Sequence, residues 1–205
     1  MEVFRSVADW NRTCQGRRRN GQPFIPGDAV KGAIRGSAER LVRWLGVVLG
    51  EEEDNSAPKH PALRRLFASG GDGPGIRFEP AKFLGGGELV RVSQTAINSD
   101  TGVARHATLR VSESWSPGAE FHVTATGRAA ALKPDSDEIL LLTAAIVGVE
   151  QVGGRRSVGA GGVELSNLSI SGGQKVALGA DSLKRLRAYL GLVSKKEGDA
   201  NASEN

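Results

Sequence analysis

Apolar residues keep helical spacing most clearly in the stretch from Asp28 to Leu49. Val30, Ala33, Ile34, Ala38, Leu41, Val42 and Leu45 fall on one side of a 3.6-residue period, which predicts a helix with a single buried stripe. Trp44, Val47, Val48 and Leu49 extend the stripe to Gly50, a residue suited to ending a helix. Asp28 stands where its carboxylate can accept from the first free amides and cap the helix. The stretch 139–149 is almost wholly apolar, so the helix there is expected to be buried rather than amphipathic, with Ser136 as its N-cap. Leu183, Leu186, Leu190 and Val193 mark a last amphipathic helix, and residues 61–67 a short helix or turn.

Strand patterning fills the middle of the chain. Residues 76–84 read as a strand interrupted or ended at Pro80. Val90, Val92, Thr95 and Ile97 lead into the turn signal Asn98-Ser99-Asp100-Thr101-Gly102. Residues 103–114 can then return antiparallel. Phe121, Val123 and Ala125 alternate with His122, Thr124 and Thr126, as a half-buried strand does, and residues 163–170 alternate less regularly. These helices and four or five strands in mixed order predict an α+β fold, one antiparallel sheet covered by helices. No internal repeat or domain linker interrupts residues 1–194, which read as one domain, and the polar stretch 195–205 is expected to be disordered.

Composition narrows the function classes. A chain of 205 residues, 39 % apolar and 24 % charged, is long enough for one real core. Only 5 % is aromatic while 28 residues are glycine, so stacking platforms should be few and tight turns many. Cys14 is the sole cysteine, which excludes an intrachain disulfide and a cysteine-rich zinc site. His60, His106 and His122 lack metal-ligand spacing. Neither a signal peptide nor a membrane span is legible, and a cytoplasmic protein is expected.

The formal net charge of +4 fits a polyanionic partner without proving one. Its distribution is more telling. Arg5, Arg12, Arg17, Arg18, Arg19, Lys31, Arg35, Arg40 and Arg43 face only four acids in the first 43 residues, and an acidic run follows at Glu51-Glu52-Glu53-Asp54.

Two glycine–cation elements could hold phosphate. In the first, Lys31 and Arg35 share a helix face near a positive helix N-terminus, beside Gly32 and Gly36. Each interior glycine costs a helix about 1 kcal/mol relative to alanine, so something is expected to pack close to that backbone, either another segment or a ligand. The second is Gly153-Gly154-Arg155-Arg156-Ser157-Val158-Gly159-Ala160-Gly161-Gly162, directly after the buried helix. Glycines free amides to approach phosphate, and arginines add charge-assisted donors. It is no P-loop, because Gly-Lys-Ser/Thr is absent. A solvated helix face and a flexible turn are the bland alternatives for the two elements.

Phe24-Ile25-Pro26-Gly27-Asp28-Ala29-Val30-Lys31-Gly32-Ala33-Ile34-Arg35 resembles the signature of RAMP-superfamily proteins of CRISPR effectors, and the loop 153–161 resembles their C-terminal glycine-rich loop. Between them, residues 91–104 with Glu113 and residues 117–121 are similar to the thumb hairpin of the repeated backbone subunit of type III effector complexes. The three elements occur in the family's order across most of residues 20–171.

The resemblance implies a ferredoxin-like, RRM-related palm with a protruding β-hairpin thumb at about 88–127, in subunits that stack in many copies along CRISPR RNA with other effector-complex subunits. Lys31 and Arg35 would face the guide backbone, as would Gly154, Arg155, Arg156, Ser157 and Gly159. The thumb, with Ile97, Asn98 and Arg105 near its tip, would wedge into the duplex of guide and target RNA. The family's backbone group carries an aspartate before the signature that supports metal-dependent cleavage, and Asp9 is the sole positional candidate, for catalysis and for holding Mg²⁺. A surface or capping aspartate is the other reading of Asp9. Two further roles stay open within the superfamily: a CRISPR RNA-processing endoribonuclease using His60 or His106 as general acid/base, and a non-catalytic end-capping subunit.

Overall fold

The computed structural model describes residues 4–5, 18–19, 22–47, 49, 60–67, 76–115, 118–127, 135–153, 161–165, 168 and 178–202. In chain order these form β1 (Phe4–Arg5), β2 (Arg18–Arg19), β3 (Gln22–Ile25), α1 (Gly27–Trp44), α2 (Pro61–Phe67), β4 (Arg77–Phe78), β5 (Ala81–Gly85), β6 (Leu89–Gln94) and β7 (Arg110–Trp115). They continue with β8 (Glu120–His122), β9 (Ala125–Thr126), α3 (Asp137–Val147), β10 (Glu164–Leu165) and α4 (Ala180–Ala202). The architecture is α+β. A six-stranded sheet in the order β10-β1-β8-β5-β3-β2 is antiparallel at each described pairing, with two separate two-stranded ribbons, β4-β9 and β6-β7.

Alternation along the central strands sets the two faces of the sheet. Ala81 on β5 and Ala119, Phe121 and Val123 on and around β8 are buried, while Lys82 and Leu84 on β5 are exposed. Phe83 and Phe121 are register partners and stack at a tilt of 58°, with ring centroids 5.4 Å apart. Phe4 on β1 pairs with Phe121 from the other side. The N-terminal residues thus supply the strand between β8 and β10, although only two residues long.

The buried face meets the helices. α1 buries Val30, Ala33, Ile34, Ser37, Ala38 and Val42, the stripe its spacing predicts. Two expectations at its ends need correction. Pro26, not Asp28, is the N-cap residue, and its carbonyl accepts from Ala29 and Val30 N–H at 3.0 and 3.2 Å. Proline suits this place because its φ is already fixed and it offers no donor to waste. Asp28 lies in the exposed first turn, where its charge favours the helix N-terminus. The helix ends at Trp44 rather than near Gly50. Gly46 takes a positive φ of 82°, its N–H bonds Arg43 O, and Val47 N–H reaches back to Val42 O. That is a Schellman closure, available to the earlier glycine because nothing prevents the left-handed turn there.

α3 matches its expected form. Ser136 Oγ accepts from Ile139 N–H at 3.3 Å, and residues 139–143, 145 and 146 are buried. α4 docks through Leu186 and Leu190, both fully buried. Its polar anchor is a cluster: Arg185 bonds the Asp137 carboxylate and the Asp135 carbonyl, and the Tyr189 hydroxyl donates to Glu138 at 2.9 Å. α4 continues to Ala202, into the stretch expected to be disordered. No helix among the described residues is long and apolar enough to cross a membrane.

Candidate nucleic-acid interface

The signature segment occupies the junction of β3 and α1. Ile25 is buried beside Ala81, its register partner on β5, and Pro26 turns the chain into the helix. Gly27 then has no room for a side chain: a Cβ there would sit 2.1 Å from the Phe78 carbonyl oxygen. The glycine is required because β4 crosses directly over the start of the helix.

Lys31, half-buried in the second turn, makes no hydrogen bond or ion pair among the described residues. Gly32 beside it and Gly36 beside Arg35 have open space, since a Cβ at either would meet nothing within 4 Å. The expected close neighbour is therefore not a described segment of this chain. Arg35 lies one turn on, but its Nε is bonded to Glu39 at 3.0 Å. The pair on α1 is thus unequal, one cation unengaged and the other held along the helix.

The glycine-rich loop leaves the end of α3 through a closed neck. Val152 N–H bonds Gly161 O at 2.8 Å, and Gln151 pairs with Gly162. Gly153 and Gly161 have positive φ of 104° and 80°, and a Cβ on Gly161 would collide with Val152 O at 2.2 Å. The loop residues singled out from the sequence, Gly154, Arg155, Arg156, Ser157 and Gly159, lie outside the described residues, as does Asp9. Among the described residues no group of three or more histidine, cysteine, aspartate or glutamate side chains is placed to hold a metal.

The hairpin of β6 and β7 is a six-rung ladder from Leu89↔Trp115 to Gln94↔Arg110. It ends at Trp115, earlier than expected, and residues beyond Gly118 return to β8 and β9. Its root is made of glycines: Gly85, Gly86, Gly87 and Gly118 have positive φ, and a Cβ on Gly86 would lie 2.1 Å from Gly118 O. Two strands can leave the sheet side by side there only because both backbones are bare.

Of the three tip residues, Ile97 is 64 % exposed and Arg105 is exposed. Asn98 is spent on the turn. Its backbone closes bonds to Val103 and Gly102, and its Oδ1 accepts from Asp100 N–H at 2.9 Å. Val103 and Leu109, exposed by 64 % and 70 %, join Ile97 in an apolar tip that no described residue covers. The resemblance placed Ile97 there, while Leu109 falls within the stretch 103–114 expected to return as a strand.

Of the histidines considered for general acid/base work, His60 is 2 % exposed and its Nδ1 accepts from Ala62 N–H at 3.2 Å, capping α2. That position is sealed from any scissile phosphate. His106 is exposed on the hairpin.

Sequence reasoning also missed a surface. Trp44 reads as an extension of the apolar stripe but is 71 % exposed. Spacing gave no warning, because Trp44 comes seven residues after the buried Ser37 and so lies on nearly the same side of the helix.

Comparison with curated proteins gives no match. A family model, that of the RAMP superfamily, matches residues 15–164, from before the signature segment to β10. That span takes in α1 with its open glycines, the hairpin and the loop neck, and it covers most of the chain, which therefore belongs to the RAMP superfamily, a family associated with CRISPR-related RNA-binding complexes.

Proposed function

We propose that the protein is a guide-RNA-binding subunit of a type III CRISPR effector complex, with its domain built as a ferredoxin-like palm and a hairpin thumb. The carrying observation is the start of α1, where Lys31 has no partner among the described residues and the following Gly32 and Gly36 have open space where a side chain would begin. A helix can give up about 1 kcal/mol per glycine only if something gains from the bare backbone, and a phosphodiester strand fits a cation beside exposed amide surface. Low aromatic content supports contacts to the backbone over stacking of bases.

The palm reading rests on strand order. β1, β5, β8 and β10, with α1 and α3 as the crossover helices, follow the 4-1-3-2 arrangement of a split βαβ unit. The thumb reading rests on the apolar tip of Ile97, Val103 and Leu109, which suits a wedge between stacked bases better than an exposed turn in water. Arg155 and Arg156 would add guide phosphate contacts from the loop. Stacking of several such subunits along one guide, beside other effector subunits and a target RNA, follows from this reading.

Metal-dependent cleavage is a separate step of the proposal, resting on the position of Asp9 before the signature. Asp9 would hold Mg²⁺ next to the target backbone, where the metal would stabilise charge on the scissile phosphate. The processing-enzyme reading is less well supported, because His60 is locked in the core.

Binding of a single-stranded RNA of guide length, followed by fluorescence anisotropy across a salt series, tests the reading. Lys31→Ala is expected to weaken affinity about fivefold and to lower the salt slope by about 0.7. RNA affinity that ignores both salt and Lys31→Ala would sink the guide-binding assignment. For cleavage, loss of target cutting on chelation and in Asp9→Ala is expected, and cutting that survives in Asp9→Ala removes that residue from the reaction.

A further inference from the structure

The far end of α1 carries a second concentration of cations around an exposed aromatic ring. Trp44 is 71 % exposed in the last turn of α1. Arg40, one turn earlier, donates from its Nη2 to the carbonyl of Gly148 at 3.3 Å, which seats the C-terminus of α3 against this part of α1. Gly148 also packs on Ser37: a Cβ there would lie 2.8 Å from its Oγ. Val147, the residue before it, is 54 % exposed. From α4, an Arg187 guanidinium nitrogen comes within 3.6 Å of where a side chain on Gly46 would begin. Arg40, Arg43 and Trp44 thus lie on the end of α1 that Gly148 at the α3 C-terminus and Arg187 of α4 approach.

Charge in this patch is one-sided among the described residues. Arg43 and Arg187 are exposed and make no ion pair among the described residues. Of the carboxylates nearest in sequence, Glu39 is taken by Arg35, and Glu150 is an exposed residue beyond the α3 C-terminus. Unopposed guanidiniums around a bare indole are the makings of a single-strand site, with a base on the ring and its phosphates on the arginines. An acidic protein surface would match the charge too. A stable protein interface, however, needs about 800 Å² per partner around an apolar centre, and among the described residues Trp44 and Val147 are the large exposed apolar groups here. One indole flanked by arginines is enough for a nucleotide or two.

We propose that this patch is a second contact for single-stranded RNA, with Trp44 separated from Lys31 by about 20 Å of helix. Along the chain, the basic glycine-rich loop begins at Gly153, five residues past Gly148. The inference rests on the guide-binding reading only for the nature of the ligand. RNA that has passed the loop would continue over the helical face instead of leaving the subunit.

The test uses the full chain and a fluorescein-labelled single-stranded oligoribonucleotide of mixed sequence, in equilibrium titrations over a salt series. The variant Arg43→Ala/Trp44→Ala/Arg187→Ala is expected to bind about tenfold more weakly and to lower the salt slope by about 1.4. Trp44→Phe, which keeps an aromatic face, is expected to hold most of the affinity. All three positions are exposed, so an unchanged melting profile should confirm folding of the variants. If the triple variant binds like the wild type while Lys31→Ala weakens, the patch proposal is wrong and the guide-site reading stands. If the triple variant alone weakens, the patch stands and the Lys31 assignment falls. A triple variant with unaltered RNA affinity that no longer joins its neighbouring subunits would overturn the proposal in favour of an acidic protein partner.

Discussion

Two glycines in the signature segment do opposite jobs, and stability measurements can separate them. Gly27 is structural, because any side chain would meet the Phe78 carbonyl at 2.1 Å. Gly27→Ala is expected to cost about 2 kcal/mol in denaturant unfolding, as overpacking against backbone does. Gly32 has open space around it, so Gly32→Ala is expected to stabilise the fold by about 1 kcal/mol. If RNA lies against that backbone, the same variant should bind it more weakly. A stabilised variant with unchanged RNA affinity would show that the bare helix face is not a contact. The motif announced both glycines in the sequence. Their different reasons were invisible there, since one depends on β4, some fifty residues away.

Tyr189 is a second residue whose role belongs to its surroundings. Burial, and then its hydrogen bond to Glu138, push the phenol well above its ordinary value of 10.0. The folded state therefore keeps a proton that the unfolded chain gives up above about pH 10. This contribution to stability is intact below that pH and is lost as pH climbs beyond it. Thermal melts between pH 9 and 11 should show the decline, and Tyr189→Phe should flatten it. An identical alkaline slope in Tyr189→Phe would mean that other groups control it.

At the scale of elements, local signals and long-range ones part company. The N-cap of α3 was legible because Ser136 sits beside a helical run with acids behind it, and capping is a matter of three residues. Ser136→Ala is expected to lower stability by about 1 kcal/mol in chemical unfolding, with no change in RNA binding. The end of α1 was less legible, since Gly46 and Gly50 are both competent to stop a helix and only the Schellman bonds of Gly46 and Val47 decide between them. The hairpin behaves as an attachment rather than as part of the core. Replacing Ile97, Val103 and Leu109 together by serine should shift unfolding by less than about 0.5 kcal/mol per site, while reducing affinity for a guide–target duplex. A large loss of stability would mean that the tip packs on the body.

Across the whole molecule the core runs from the buried sheet face through α1 and α3 to α4, so the last helix shares in global stability. Leu186 and Leu190 are fully buried, and Leu190→Ala is expected to cost about 3 kcal/mol. A transition near wild type in that variant would show that α4 docks weakly.

The sequence by itself determined the helical stripe of α1, the buried run of α3, the hairpin and the Gly-Pro punctuation between them, because these depend on periodicity and on the backbone freedom of single residues. Its motif order also led to the RAMP family. Tertiary structure decided which strand lies beside which, that Phe4 pairs with Phe121, that Gly27 is crossed by β4, and that Trp44 faces water. Each of those outcomes rests on contacts between residues far apart in the chain, and no local pattern records which partner will cover a given face.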